Sequence, residues 1–126
     1  MHESPHKGKS GLRRIWYAFQ YSLAGLQAAF VCEHAFRQEI MLAALLLPVA
    51  IYVDVKPSER ALLIFSVLLV LIVELLNSAV EATVDRISLD NHRLAKRAKD
   101  IGSAAVLITL VNLVAVWACI LSFRSN

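Results

Sequence analysis

Two long apolar segments constrain the fold of this chain more than any other feature. Residues 61–84 and 104–123 each reach the roughly 20 apolar residues that a helix needs to cross a bilayer. A shorter apolar segment, 36–53, contains Pro48, which should bend that helix or force a local adjustment. The sequence therefore predicts an all-α membrane protein with three transmembrane helices, and a soluble function is excluded.

The composition supports this interpretation. Hydrophobic residues make up 58% of the 126 residues, too many for a soluble domain of this size, whose surface must be largely polar. The length predicts one integral membrane domain over residues 1–126. Cys32 and Cys119 lie far apart in apolar surroundings, so we interpret them as small hydrophobic residues rather than as a disulfide or metal motif. We expect no nucleic-acid partner.

The N-terminal region is more polar than the spans. Residues 1–11 are expected to be a mobile terminus. Residues 12–35 combine basic and aromatic side chains without a long apolar run, which predicts an amphipathic helix lying at the membrane surface.

Basic residues flank the spans unevenly. The first connecting loop has only Lys56 and Arg60, and the C-terminus only Arg124. The other flanks hold a larger set: Lys7, Lys9, Arg13 and Arg14 before the spans, and Arg86, Arg93, Lys96, Arg97 and Lys99 between spans two and three. By the positive-inside rule, the N-terminus and the second loop lie in the cytoplasm and the C-terminus lies outside.

Span two carries a polar stripe inside an apolar segment. Glu74, Asn77, Ser78, Glu81 and Asp85 are spaced so that all five fall on one side of a helix. A carboxylate inside a lipid-embedded segment costs at least ~2.5 kcal/mol on insertion scales. The stripe therefore indicates a functional site. In the alternative interpretation, the amide and hydroxyl join helices and Glu81 pairs with a basic residue.

Two further polar clusters lie near the cytoplasmic boundary. Arg97, Lys99, Asp100 and Ser103 precede span three, where a basic helix end could simply extend its side chains toward water. The cluster before span one consists of Glu33, Arg37 and Glu39, of which Glu33 and Arg37 could form an i, i+4 ion pair.

Together the clusters favour a site for Mg²⁺ and phosphate. Hard oxygen ligands without His or Cys partners suit Mg²⁺, which with a lysine typically surrounds nucleotide phosphates. The chain has no Walker A loop and no protein-kinase motif, and its four glycines argue against a cradle of backbone amides. The residues alone thus predict a membrane protein with a Mg²⁺- and phosphate-compatible site facing the cytoplasm.

Three segments closely resemble the prokaryotic diacylglycerol kinase family, and the resemblance covers about 11–122. They are 33–39 (EHAFRQE), 73–86 (VELLNSAVEATVDR) and 98–107 (AKDIGSAAVL). The resemblance implies a homotrimeric bundle whose sites form between protomers in the bacterial inner membrane. It implies transfer of the γ-phosphate of ATP to diacylglycerol, with MgATP, diacylglycerol and membrane lipid as partners.

The resemblance also implies roles for individual residues. Glu74 would be the general base, Glu33 and Glu81 would hold Mg²⁺, and Asn77 and Asp85 would support the site. The implied nucleotide-binding set is Arg14, Tyr21, Glu33, Glu81, Asp90, Asn91, His92, Lys99 and Asp100. The implied lipid-substrate set is Arg14, Ala18, Glu74, Ser103 and Trp117.

Some positions depart from the family pattern. Phe30 stands where a tryptophan is expected, Cys32 where asparagine is expected and Gln27 where a basic residue is usual. We expect these departures to change substrate affinity more than activity.

One alternative function is that of an undecaprenol kinase from the sister branch, although Asp85-Arg86 and Gly102-Ser103 match the diacylglycerol branch. Another is a non-catalytic helical membrane subunit or an ion pathway lined by Glu74 and Glu81.

Overall fold

A computed structural model describes residues 11–87 and 92–123, and these residues form four α-helices and no strand. The expected mobile terminus therefore lies almost wholly outside the described residues. The chain divides into two compact units, Met1–Glu33 and His34–Asn126.

The first unit contains one helix, α1, over Gly11–Cys32. Ala29 is the one buried residue of α1, and large apolar side chains of this helix, such as Trp16 and Phe19, are exposed. The rings of Trp16 and Phe19, three residues apart, lie 6.4 Å from each other on the helix surface.

The second unit contains α2 (His34–Tyr52), α3 (Pro57–Ile87) and α4 (Arg93–Ser122). All three are long and apolar enough to cross a membrane, which confirms the predicted number of spans. Pro48 lies inside α2, and its helix continues on both sides of the proline.

The second unit is built around α3, which packs against both α2 and α4. Small residues of α2, Ala43 and Ala50, are buried against the apolar face of α3 and let the two backbones approach closely. A buried hydrogen bond joins α3 to α4, since the indole Nε1 of Trp117 donates to Oγ of Ser66 at 3.0 Å. In an apolar core this bond satisfies two polar atoms that could not reach water.

The turn between α2 and α3 is stabilised from both sides. Arg60 donates to the carbonyl oxygens of Ala50 and Ile51, which stand at the end of α2 where carbonyls lack helical partners. At the start of α3, Glu59 accepts the backbone N–H of Lys56 at 3.0 Å, three residues back, as in a capping box. The helix thus begins at Pro57, a residue favoured at a first helical position.

Candidate functional site

The buried face of α3 changes from apolar to polar along the helix. It is apolar up to Val70 apart from Ser66, and then carries Glu74, Asn77 and Ser78, which are 5%, 8% and 9% exposed. Glu81, one turn further on, is half-buried. The spacing in the sequence predicted this polar stripe, and the structure turns its first three members into the packed interior of the second unit.

Asn77 and Ser78 each bring a polar atom into this interior. The Nδ2 of Asn77 donates to Oε1 of Glu81 at 3.5 Å. Within the described part of the chain, Oδ1 of Asn77 and Oγ of Ser78 are buried without a hydrogen-bond partner. Buried polar atoms are nearly always hydrogen-bonded, so the unsatisfied hydroxyl of Ser78 is available to another polar group.

Glu39, on α2, extends this group of polar atoms. Its Oε2 is likewise buried without a partner among the described residues, and the charge of Glu74 acts on its carboxyl group. Sequence reasoning grouped Glu39 with Glu33 and Arg37 and gave it no role of its own. The available signal was its position inside the apolar helix α2, where a carboxylate is costly.

An ion pair joins α3 to α4 at the polar end of the stripe. The Nζ of Lys99 lies 2.5 Å from Oδ1 of Asp85, and both side chains remain partly exposed. The pair brings together two residues of the predicted site that are 14 positions apart in sequence. It places an ammonium group beside the carboxylates of α3, where it can neutralise an anionic ligand.

Asp100 lies next to Lys99 in sequence but has a different partner. Its Oδ2 accepts from Nζ of Lys96 at 2.7 Å, one turn back on α4. Asp100 also lines a shallow, open depression on the surface of α4, together with Arg93 and Arg97, among other residues. Around Asp100 the surface is therefore mainly positive, as a phosphate-bearing ligand requires.

His92 caps the start of α4. Its Nδ1 accepts the backbone N–H of Leu94 at 3.1 Å. His92 also contributes to the lining of a cavity of about 360 Å³ that Val84 and Ile87 of α3 help to form. The other two residues of its predicted stretch, Asp90 and Asn91, lie outside the described residues.

The predicted lipid-contacting residues of α4 occupy different surroundings. Ser103 is exposed. Trp117 is largely buried, and its indole N–H donates to Ser66. It also lines an apolar groove of about 510 Å³ between α2 and α4. Leu46 and Leu113 are among the other residues of that groove, so its lining suits hydrocarbon.

The remaining predicted residues belong to the first unit. Arg14, Ala18 and Tyr21 are exposed on α1. Glu33 follows the end of α1, is half-buried, and donates its backbone N–H to the carbonyl of Ala29 at 2.9 Å.

The oxygen atoms of α3 fit Mg²⁺ better than a transition metal. Over the described ranges no cluster of three His, Cys, Asp or Glu residues could enclose a metal ion. Mg²⁺ does not need such a cage, because it is usually held by one or two carboxylates together with water and phosphate oxygens. Glu81 is half-buried, and Asn77 donates to Oε1 of its carboxylate, which leaves the other carboxylate oxygen for a metal ion.

Comparison with known proteins agrees with this chemistry. A family model described as prokaryotic diacylglycerol kinase matches residues 20–121. A diacylglycerol kinase of Pseudomonas aeruginosa is 57% identical over 121 residues, which cover 96% of this chain and 98% of the relative. Diacylglycerol kinases of Escherichia coli K12 and Helicobacter pylori 26695 are 53% and 42% identical; the matches cover 89% and 91% of this chain and 91% and 89% of those relatives.

The family model covers well over half of the chain, and the matched region contains the whole polar face of α3 and Lys99 of α4. The chain belongs to the prokaryotic diacylglycerol kinase family.

Proposed function

We propose that the protein transfers the γ-phosphoryl group of ATP to the free hydroxyl of diacylglycerol, giving phosphatidic acid and ADP. The observation that carries the proposal is the polar half of the buried face of α3 in a member of this family. A buried Glu74, an Asn77–Glu81 hydrogen bond and the Lys99 ammonium group supply a base, a metal ligand and a phosphate-neutralising charge.

Glu74 is the general base in this proposal. Its carboxylate takes the proton of the lipid hydroxyl as the hydroxyl oxygen attacks the γ-phosphorus and the bond to the β,γ-bridging oxygen of ATP breaks. Glu74 is 5% exposed, so bulk water is largely excluded from the base. That exclusion favours transfer to the lipid over hydrolysis of ATP.

Glu33 and Glu81 are the proposed ligands of Mg²⁺. When bound, the ion would neutralise charge on the phosphate oxygens during transfer. The chain's own contribution is to orient the carboxylate: Asn77 donates to Oε1 of Glu81 and leaves its other oxygen available. Such a neighbour of a ligand fixes the ligand's direction.

Lys99 is proposed to contact the nucleotide phosphates, with Asp85 holding its ammonium group in place until they bind. Asp100, beside the basic residues Arg93 and Arg97, is proposed to orient the nucleotide. The rest of the proposed nucleotide set is Arg14, Tyr21, Asp90, Asn91 and His92. Ala18, Ser103 and Trp117 are proposed to contact the lipid substrate, and the apolar groove beside Trp117 suits an acyl chain.

We further propose that the protein is a homotrimer in the bacterial inner membrane. Many large apolar side chains of α2, α3 and α4 are exposed, and such surfaces require lipid or another protein surface. The basic residues Arg93, Lys96 and Arg97 favour a cytoplasmic second loop, which leaves the C-terminus in the periplasm. α1 is proposed to lie at the cytoplasmic membrane surface, consistent with its exposed Trp16 and Phe19.

The test is ATP-dependent phosphorylation of diacylglycerol, and separately of undecaprenol, in mixed micelles containing Mg²⁺. Glu74→Gln keeps the size of the side chain and removes its basicity, so we expect kcat to fall at least ~100-fold. Asp54→Asn, an exposed carboxylate change in the α2–α3 turn, is the matched control. Turnover of undecaprenol alone would assign the protein to the sister branch. A folded trimer inactive on both lipids would favour a non-catalytic subunit.

A further inference from the structure

Gly102 occupies a position on α4 where no side chain fits. A Cβ atom there would overlap Oδ1 of Asn77 and lie 3.1 Å from its Cγ. Gly11 and Gly25, by contrast, have nothing within 4 Å of a Cβ position. The amide of Asn77 therefore rests directly on the backbone of Gly102, and this contact requires the absence of a side chain.

The contact determines which way the amide of Asn77 points. Asn77 is 8% exposed, so its amide has little room to rotate. Its Nδ2 points to Oε1 of Glu81 at 3.5 Å while its Oδ1 faces Gly102. The reverse orientation would place the amide oxygen against a carboxylate oxygen, and two acceptors repel each other. The Cα–H group of Gly102, a weak donor, suits the amide oxygen.

We propose that Gly102 is a positioning residue for the carboxylate of Glu81 and acts through the amide of Asn77. This inference rests on the proposed function, in which Glu81 is a Mg²⁺ ligand. A methyl group at position 102 would push the amide away from α4 and break or redirect its bond to Glu81. Neighbours that orient a ligand typically change metal affinity by about 10–100-fold when they are lost.

The first experiment compares Gly102→Ala with Gly25→Ala, whose added methyl group meets open space. Binding of Mn²⁺, as a paramagnetic substitute for Mg²⁺, is followed by electron paramagnetic resonance in the presence of a non-hydrolysable ATP analogue. We expect Gly102→Ala to weaken Mn²⁺ binding at least about 10-fold.

In steady-state kinetics, we expect Gly102→Ala to raise the Mg²⁺ concentration needed for half-maximal rate and to leave the KM for diacylglycerol unchanged. Gly25→Ala should match the wild type. Wild-type affinity in Gly102→Ala would overturn the inference.

A second pair of variants tests the route through Asn77 and remains informative if Gly102→Ala does not fold. Asn77→Ser removes the amide and makes room beside position 102. Adding Gly102→Ala to Asn77→Ser should then change Mn²⁺ affinity by less than about 2-fold, because the amide that transmits the effect is already gone. A further loss of about 10-fold in the double variant would show that Gly102 acts by another route and would overturn the inference.

The two proposals fail in distinguishable ways. If the proposed function is wrong, the wild type phosphorylates no lipid. If only this inference is wrong, the wild type is active and Gly102→Ala binds Mn²⁺ as tightly as the wild type does.

Discussion

Nζ of Lys99 lies 2.5 Å from Oδ1 of Asp85, so the second turn of α4 is tied to the last turns of α3 at the polar end of the bundle. Both side chains are partly exposed, and exposed ion pairs contribute little to folding stability. The pair is therefore better explained by the position it gives to the lysine than by the stability it provides. In the proposed function, Asp85 would restrain the ammonium group beside the carboxylates of α3 until phosphate replaces it.

Replacing either partner should separate catalysis from stability. We expect Lys99→Met to lower kcat/KM for ATP by about 100-fold or more, because the proposed function assigns this charge to the transferring phosphate. Asp85→Asn keeps the lysine and should cause a smaller loss, seen mainly as a higher KM for ATP. Steady-state kinetics and thermal unfolding in detergent provide the two readouts.

Lys56→Met is the matched control for Lys99→Met, since Lys56 is an exposed lysine just before the start of α3, at the end of the bundle opposite the polar stripe. All three variants should unfold at the temperature of the wild type. A large drop in Tm for Asp85→Asn would contradict this assignment and make the pair structural.

The hydrogen bond between Trp117 and Ser66 should contribute to stability and not to phosphoryl transfer, the opposite of the Lys99–Asp85 pair. Ser66→Ala leaves the buried indole N–H without an acceptor, which should reduce the free energy of unfolding by about 1–3 kcal/mol. At a temperature where the variant is folded, kcat and the KM for ATP should match the wild type. Ser58→Ala, at an exposed hydroxyl, is the control and should not change stability. A Ser66→Ala protein as stable as the wild type would show that the indole bond contributes nothing.

Much of the fold could be predicted because membrane spans are defined by length and hydropathy alone. The apolar segments 61–84 and 104–123 both lie within single helices, but α3 and α4 are longer than their apolar parts. Polar residues such as those around Asp85 and Lys96 extend the helices past the apolar core, since helix formation depends on backbone hydrogen bonds rather than on hydropathy. The apolar boundaries therefore predicted the helices but not their ends.

The candidate site was predictable only within one helix. A period of 3.6 residues placed Glu74, Asn77 and Glu81 on one side of α3 without knowledge of its neighbours. The contact of Asn77 with Gly102 depends on how α3 and α4 are aligned, and a single sequence gives no such register. The small residues Gly102, Ala104 and Ala105 favour close helix packing, but they do not specify which residue of α3 they meet.

Arg60 should matter for stability and not for catalysis. Its guanidinium group donates to the carbonyls of Ala50 and Ile51, at the end of the bundle opposite the polar stripe. Arg60→Met removes these charge-assisted bonds, so we expect a loss of about 1–3 kcal/mol in the free energy of unfolding. Chemical denaturation in detergent measures it. Lys56→Met, in the same turn, is the control, and a change in kcat for folded Arg60→Met would contradict the prediction.

The proposed orientation predicts which loops react with a membrane-impermeant thiol reagent. Cys32 and Cys119 are both free and exposed, so the experiment starts from a variant in which both are alanine. Ser58→Cys places a thiol in the first turn of α3, and Ile87→Cys places one at the opposite end of the same helix. Ser58 and Ile87 are separated by 29 residues, about 44 Å along the helix axis at roughly 1.5 Å per residue, so they lie on opposite sides of a bilayer.

With the outer membrane permeabilised and the inner membrane intact, Ser58→Cys should react and Ile87→Cys should react only after the inner membrane is opened. The reverse order of labelling would invert the proposed topology and place the carboxylates of α3 on the periplasmic side, away from cellular ATP.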